Sequence, residues 1–527
     1  MSAAQETEHS TDNTPLHATD SHNANADSCQ DDTETGDIGK ANDVYQANAS
    51  TAGKAAEADN AAALNSLATR PVGALLWQYS VPAVAGMVVV SLYNVIDRIF
   101  IGRGVGPDAI SGLAITFPLM NLSTALGVLV GAGASARVSI MLGAKRLREA
   151  QTILGNSLVM LLIFATIYIT TFAVFLDPLL RAFGASDRTL PYAHDFMSVL
   201  LPGMLLMNLS FSLNNIQRAS GYPRRAMMTM ILSAVANAIL APIFIFGLDM
   251  GIRGAALATD LAMAGTLVFV LWHFFDRRSN LHFTSGTYRL RRTVVISIIG
   301  IGAAPSLVNA ASSLINFLIN NTMYAYGGDN AVGAAGIFST YASLITMIII
   351  GICQGMQPVV GYNYGAGKLH RLHRAYVLTL AAATILSILG WCGAIFIPEA
   401  IASIFTTDAD LVNATAHGLN LALPAFVFVG FQIVSTNFFQ SIGRVGKSIF
   451  LGLSRQVLFL IPLLLIMPGM WGLNGVWLSF PIADLFATAV TVILIIMEFR
   501  RLGKMIPGRA MSMGHKTKRE MGWRGKD

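Results

Sequence analysis

Trp77-Gln78-Tyr79-Ser80-Val81-Pro82, followed by Asn94 and a long apolar run that closes on Gly143-Ala144-Lys145, is written twice in this chain. Its echo is Gly302-Ala303-Ala304-Pro305, then Asn316–Asn320, then a run closing on Gly365-Ala366-Gly367-Lys368. Leu201-Pro202 returns as Leu423-Pro424, Gly221 as Gly443, and Gly251-Ile252-Arg253-Gly254 as Gly472-Leu473-Asn474-Gly475, always 221 to 223 residues later. Two homologous apolar halves facing one another predict a transporter with its substrate site between them.

Composition sets the class. The chain is 54% hydrophobic and 12% charged, with a mean hydropathy of +0.57. Nearly all the apolar weight lies between Pro71 and Glu498, where twelve spans are predicted. They fall near 72–101, 111–142, 151–176, 191–217, 224–246, 252–275, 294–324, 333–358, 374–398, 411–440, 446–468 and 474–499. Each reaches the ~20 residues needed to cross ~30 Å of hydrocarbon. The expected fold is an all-α polytopic membrane protein: twelve transmembrane helices in two pseudo-symmetric six-helix lobes, residues 71–280 and 281–500.

The ends are different material. Residues 1–70 carry twelve Asp/Glu against Lys40, Lys54 and Arg70 and few large apolar side chains, so they read as a disordered acidic cytoplasmic tail. No basic region precedes an apolar core there, so no secretory signal is expected. From Arg500 onward nine Lys/Arg mark a basic tail, 501–527, suited to anionic membrane lipid rather than nucleic acid. With both ends inside, the inner loops and tail hold 25 Lys/Arg and the outer loops five. That bias predicts a multi-pass membrane protein with both termini cytoplasmic. Cys29, Cys353 and Cys392 show no metal-ligand spacing and no disulfide framework.

The candidate carboxylates inside predicted spans are Asp97, Asp260 and Asp484. A charge at bilayer depth costs at least ~2.5–3.5 kcal/mol, so each needs water, a partner or a proton. Asp97 shares a helix face with Tyr93 and Asn94, at i−4 and i−3. By depth, Asp97, Asn237, Thr259 and Asp260 all fall in the outer part of the first half and can line one cavity. The competing readings are an Asp97 hydrogen-bonded at a span end near Arg98, and an Asp260 capping an irregular helix start after Gly254. Arg455 and Asp484 lie at similar depth in the second half and are expected to pair, as a structural bridge or as a coupling element.

These stretches carry a family resemblance. Leu92-Tyr93-Asn94-Val95-Ile96-Asp97-Arg98-Ile99-Phe100-Ile101-Gly102, Gly143-Ala144-Lys145 and Gly254-Ala255-Ala256-Leu257-Ala258-Thr259 resemble the multidrug and toxin extrusion (MATE) family. Gly355-Met356-Gln357-Pro358-Val359-Val360-Gly361-Tyr362-Asn363-Tyr364-Gly365-Ala366 is most similar to its MepA-like bacterial branch. The resemblance covers about residues 71–500. It implies alternating access and export of small cationic, amphipathic drugs or metabolites, as a monomer, in exchange for protons or sodium. No cofactor is implied beyond that coupling ion. The family's cation site, a candidate for sodium, maps onto Asp97, Asn237 and Thr259, but its fifth-helix Asp falls on Ala241. Asp260 is the candidate to replace that missing charge. The echo of Asp97 in the second half is Asn320, a further candidate for the cavity wall with Tyr93 and Asn94.

A carboxylate in a low-dielectric cavity resists staying bare, and a proton, a sodium ion or a cationic drug would each relieve it. Competition among those guests is antiport. A lipid-linked oligosaccharide flippase of related architecture is the alternative, but it would line its cavity with several cations, and only Arg137 and Arg455 fall well inside predicted spans, away from their ends. An enzyme would need a clustered His/Asp/Glu or Cys/His set at depth, which the sequence does not offer.

Overall fold

The computed structural model describes residues 65–104, 107–276 and 279–503, and every regular element among them is helical. The first half contains α1 (Val72–Gly104), α2 (Pro107–Gly143), α3 (Leu147–Val174), the short α4 (Leu176–Ala182), α5 (Leu190–Ala219), α6 (Pro223–Pro242) and α7 (Gly251–Phe275). The second contains α8 (Arg292–Gly365), α9 (Leu369–Phe396), the short α10 (Pro398–Ser403), α11 (Ala409–Ala422), α12 (Val429–Ser441), α13 (Val445–Leu453) and α14 (Ile461–Gly503).

Some of these helices are spans joined end to end. At 1.5 Å per residue the 74 residues of α8 would reach about 110 Å, far beyond one bilayer. It breaks at Gly328, with φ 65° and ψ −159°. Residues 325–332, expected as a loop, therefore run almost wholly as helix, because Gly327-Gly328 can reverse direction in one residue. α13 continues through a π-helical stretch, Ser454–Leu460, into α14, which breaks at Trp471–Gly472. α11 and α12 form one span bent by 59° around Leu423-Pro424, where proline removes a helical donor. Among the described residues, six spans thus fall in each half.

The repeat is visible in the turns. α2, α8, α5 and α12 all close with an amide reaching back to a carbonyl five residues earlier: Arg146 to Met141 (2.8 Å), Lys368 to Asn363 (2.8 Å), Tyr222 to Gln217 (3.2 Å) and Arg444 to Phe439 (2.8 Å). This closure needs one residue in the left-handed region. Gly367 (φ 71°), Gly221 (φ 108°) and Gly443 (φ 71°) supply it in three turns, and Lys145 (φ 61°) must adopt it in the fourth.

The halves meet along α2 and α8. In α2, 83% of the most apolar stretch lies inside the protein, against 33% for α1 and for α3, so α2 is the central helix. Outward faces stay apolar (Ile167, Val268, Ile385, Leu389 and Ile493 are exposed), as a lipid-facing surface requires. Glycines let the two central helices touch backbone to backbone. A Cβ on Gly133 or Gly143 would run into the carbonyls of Ile298 and Tyr362, and one on Gly302 or Gly365 into those of Leu129 and Ile140. Nearby, Ser80 Oγ donates to the Ile352 carbonyl (3.2 Å), and Gln357 Nε2 donates to the Ala132 carbonyl (3.3 Å) and to Ser135 Oγ (3.2 Å). The contacts at Gly143 and Gly365 lie at the end of the bundle where the Lys/Arg-rich turns sit, hereafter the basic end.

Two straps cross that end. Residues 65–69 form a helical turn whose carbonyls are held by the second half: Arg371 Nη2 donates to Leu67 O (3.2 Å) and Arg70 O (2.5 Å), and Lys368 Nζ to Ala68 O (3.0 Å). Cations at a helix C-terminus satisfy its orphan carbonyls and its dipole. Ordered chain thus begins before residue 71. In turn, the segment leading into α8 is held by the first half, with Asn156 of α3 donating to Thr287 O (2.8 Å) and Arg289 O (3.0 Å) and accepting from the Arg291 amide (2.8 Å). Residues 1–64 and 504–527, read above as most of the two tails, lie outside the described residues.

A Cβ at Gly443 would meet only Ile140 and Ile301 methyls, at 3.7 and 3.8 Å, so Gly443→Ala tests backbone strain alone. It should cost about 1–2 kcal/mol. Lys145→Gly, which relieves the same strain in the matching turn, should raise thermal stability or leave it unchanged. Unfolding midpoints of the detergent-purified variants would check both.

Candidate functional site

The polar groups of the first half are carried by α1, α5, α6 and α7. After Ala241, Pro242 leaves a carbonyl without its helical donor and α6 widens into a π-helical turn, Ile243–Gly247. Just before it, Asn237 is buried and its Nδ2 donates to Thr259 Oγ1 on α7 at 3.0 Å. Thr259 passes its own proton to the Ala255 carbonyl (3.1 Å). Among the described residues Asn237 Oδ1 accepts no hydrogen bond, which leaves it open to a cation. Asp97 is half-buried on α1, and α1 packs along α6. The side chains of Tyr93 and Asn94 lie outside the described residues. Ala241 is fully buried, in the same apolar cluster as Ile101, Ala255 and Ala258.

Asp260 follows Thr259 but faces a different helix. One residue is about 100° of helical turn, so while Thr259 meets α6, Asp260 meets α5. A Cβ on Gly203 would run into Asp260 Oδ1, so glycine after Pro202 is what gives the carboxylate room. Asp260 is only 9% exposed, and among the described residues Oδ1 accepts no hydrogen bond and no Lys or Arg pairs with the group. It is a buried acid without a counter-ion.

The second half is arranged differently. Arg455, in the π-helical stretch before α14, places Nε 2.6 Å from Asp484 Oδ1. Gln432 of α12 donates to the Asp484 carbonyl (2.8 Å) and to Thr488 Oγ1 (2.7 Å). The pair expected from depth is therefore present, with Asp484 buried and Arg455 partly exposed. Asn320 is exposed on the first span of α8 and stands apart from this network.

Three polar features escaped the sequence reading. Arg218, counted there among loop cations, lies inside α5, is 4% exposed, and reaches across to Gln354 of α8 as well as to Asn214 Oδ1 (3.0 Å). Glu498, at the end of the last span, is fully buried between Arg444 (3.2 Å) and Lys447 (2.5 Å). Asn208 joins α5 to α2 and α3 through Ser123 Oγ (2.8 Å) and Tyr168 OH (3.3 Å). Span-end position masked the first two. The third is a lone Asn in an apolar run, whose only signal is its desolvation cost. Among the described residues no three His, Cys, Asp or Glu side chains gather as a metal site.

A family model described as MatE matches this chain twice, over residues 82–243 and 305–466. The multidrug export protein MepA of Staphylococcus aureus is 27% identical over 436 residues, covering 82% of this chain and 95% of that protein. A FAD transporter of Shewanella oneidensis is 27% identical over 431 residues, 80% of this chain and 93% of its own. Among solved structures, the MATE multidrug transporter DinF-BH superposes with a TM-score of 0.76 at 36% identity, covering 81% of this chain and 96% of that one.

Removing one partner of the Asp484–Arg455 bridge should strand the other. Arg455→Met is expected to cost about 3 kcal/mol, at the low end for a buried pair because Arg455 is partly solvated. Adding Asp484→Leu should recover most of that loss. A double variant as unstable as the single one, by thermal unfolding, would contradict the pairing.

Proposed function

This chain belongs to the MatE family of membrane transporters, and from that premise we propose that it is a secondary multidrug efflux antiporter. It exports small cationic, amphipathic compounds against an inward flow of protons or sodium ions. The observation that carries the reading is the contrast between two buried carboxylates. Asp484 keeps Arg455 as a permanent counter-ion, whereas Asp260 has none among the described residues. A bare carboxylate at that depth is too costly to persist, so Asp260 must hold a proton or another positive guest.

Asp97, Asn237 and Thr259 offer oxygens to a neighbouring cation, with Asn237 Oδ1 open for it. A proton, a sodium ion and a cationic drug all relieve the same charge, so binding one disfavours another. That reciprocal penalty is the coupling. FAD, the cargo in the name of the Shewanella relative, is an anion and would add to the charge rather than relieve it. Alternating access follows if the lobes rock about the α2–α8 contact. The Lys/Arg excess puts the basic end and both termini in the cytoplasm, which makes the present arrangement closed on the inside. The protein works as a monomer, and the coupling ion is cargo, not a resident cofactor.

The test uses purified protein in liposomes, with proton and sodium gradients imposed separately and ethidium as the probe. Wild type should drive ethidium uphill under at least one gradient. Asp97→Asn and Asp260→Asn should each lower the coupled flux at least tenfold. If Asp260 stands in for the carboxylate missing at Ala241, the double substitution Ala241→Asp with Asp260→Ala should retain coupling. Unchanged coupling under both gradients in both single variants would overturn the proposal.

A further inference from the structure

We propose that the basic end carries a binding site for an anionic glycerophospholipid. Its phosphate is held by Arg70, Arg224 and Arg225, and an acyl chain lies in the adjoining groove between the two halves. The head site is a cavity of about 730 Å³ where the start of α1 faces the turn between α5 and α6. Its polar wall consists of Arg70, Gln78, Tyr222, Arg224 and Arg225. Arg70 is steadied by Gln78 Oε1 (3.3 Å), and Arg225 by His273 Nδ1 (2.8 Å) and by the Tyr222 ring (5.2 Å from its centroid). Among the described residues, none of the three arginines pairs with a carboxylate. α6 also begins here, at Pro223, with no side chain capping its first amides. Three guanidinium groups without a carboxylate partner among the described residues, beside a helix N-terminus, suit a phosphate.

The second requirement comes from the groove. Trp77, 75% exposed, and Val81 line the head cavity and also a neighbouring groove of about 530 Å³. Apart from Ser80 and Thr379 the groove's other walls are apolar, among them Leu76, Val84, Ile348, Ile352 and Leu378. A free phosphate would fill only the first space, and a purely apolar compound only the second. A cationic drug would be repelled by the arginines. A lipid with an anionic head satisfies both, at the depth where headgroups lie. Because the groove runs between α1 of the first half and α8 and α9 of the second, a seated lipid touches both lobes. It therefore favours the state in which the basic end is closed.

Native mass spectrometry of the full-length protein, titrated with phosphatidylglycerol, phosphatidylcholine or inorganic phosphate, tests the site. One phosphatidylglycerol should be retained at least tenfold more tightly than phosphatidylcholine. Each arginine removed should weaken that binding roughly fivefold. Arg224→Gln, at an exposed position, should therefore show about a fivefold loss, and Arg70→Gln with Arg224→Gln about 25-fold, with thermal midpoints in phosphatidylcholine unchanged. Trp77→Ala should weaken phosphatidylglycerol as well. Equal retention of the two lipids would overturn the proposal. So would competition by inorganic phosphate at the lipid's own concentration, which would mean an anion taken from solution. A zero-length crosslink in the Arg224→Lys variant from position 224 to a carboxylate within residues 1–64 would make the acidic tail the occupant instead.

Discussion

Backbone contact between α2 and α8 is the constraint on which the rest of this molecule depends. Gly133, Gly143, Gly302 and Gly365 each stand where any side chain would strike a carbonyl of the facing helix. In lipid there is no hydrophobic gain from pressing two apolar helices together, so close dispersion contact and shared polar groups must hold the halves. Small residues make the first possible. Ser80, Gln357 and the buried Arg218 provide the second. A contact of that kind closes one end of the bundle without locking it covalently.

The crossed straps extend this logic. Residues 65–70 lead into the first half yet are held by Arg371 and Lys368 of the second, while 287–291 lead into the second half and are held by Asn156 of the first. Each strap engages backbone carbonyls or amides rather than side chains, so it reads shape and not sequence. Relative movement of the lobes at the basic end must strain or release both.

Within a framework that repeats, the chemistry does not. The second half satisfies its buried acids internally: Asp484 by Arg455, and Glu498 by Arg444 and Lys447. The first half leaves Asp260 against the Gly203 backbone and keeps Asn237 and Thr259 paired to each other. An ion pair already made has nothing to exchange. A lone carboxylate does, and that difference is why the proposed antiport is placed on the first half.

Hydropathy, the repeat of 221 to 223 residues and the Lys/Arg imbalance were legible in one dimension because each sums over a whole span or loop. Membrane residence, twelve crossings and the depth match of Arg455 with Asp484 follow from such sums. Direction around a helix axis does not. Thr259 and Asp260 sit side by side in the chain, and only the packing of α7 between α5 and α6 turns one toward Asn237 and the other toward Gly203. Burial at span ends was equally invisible. Arg218 and Glu498 stand at span ends in the sequence, and only the neighbouring helices cover them. A local pattern can say how deep a residue lies, but what it faces depends on which helices close around it, and that is a property of the tertiary structure alone.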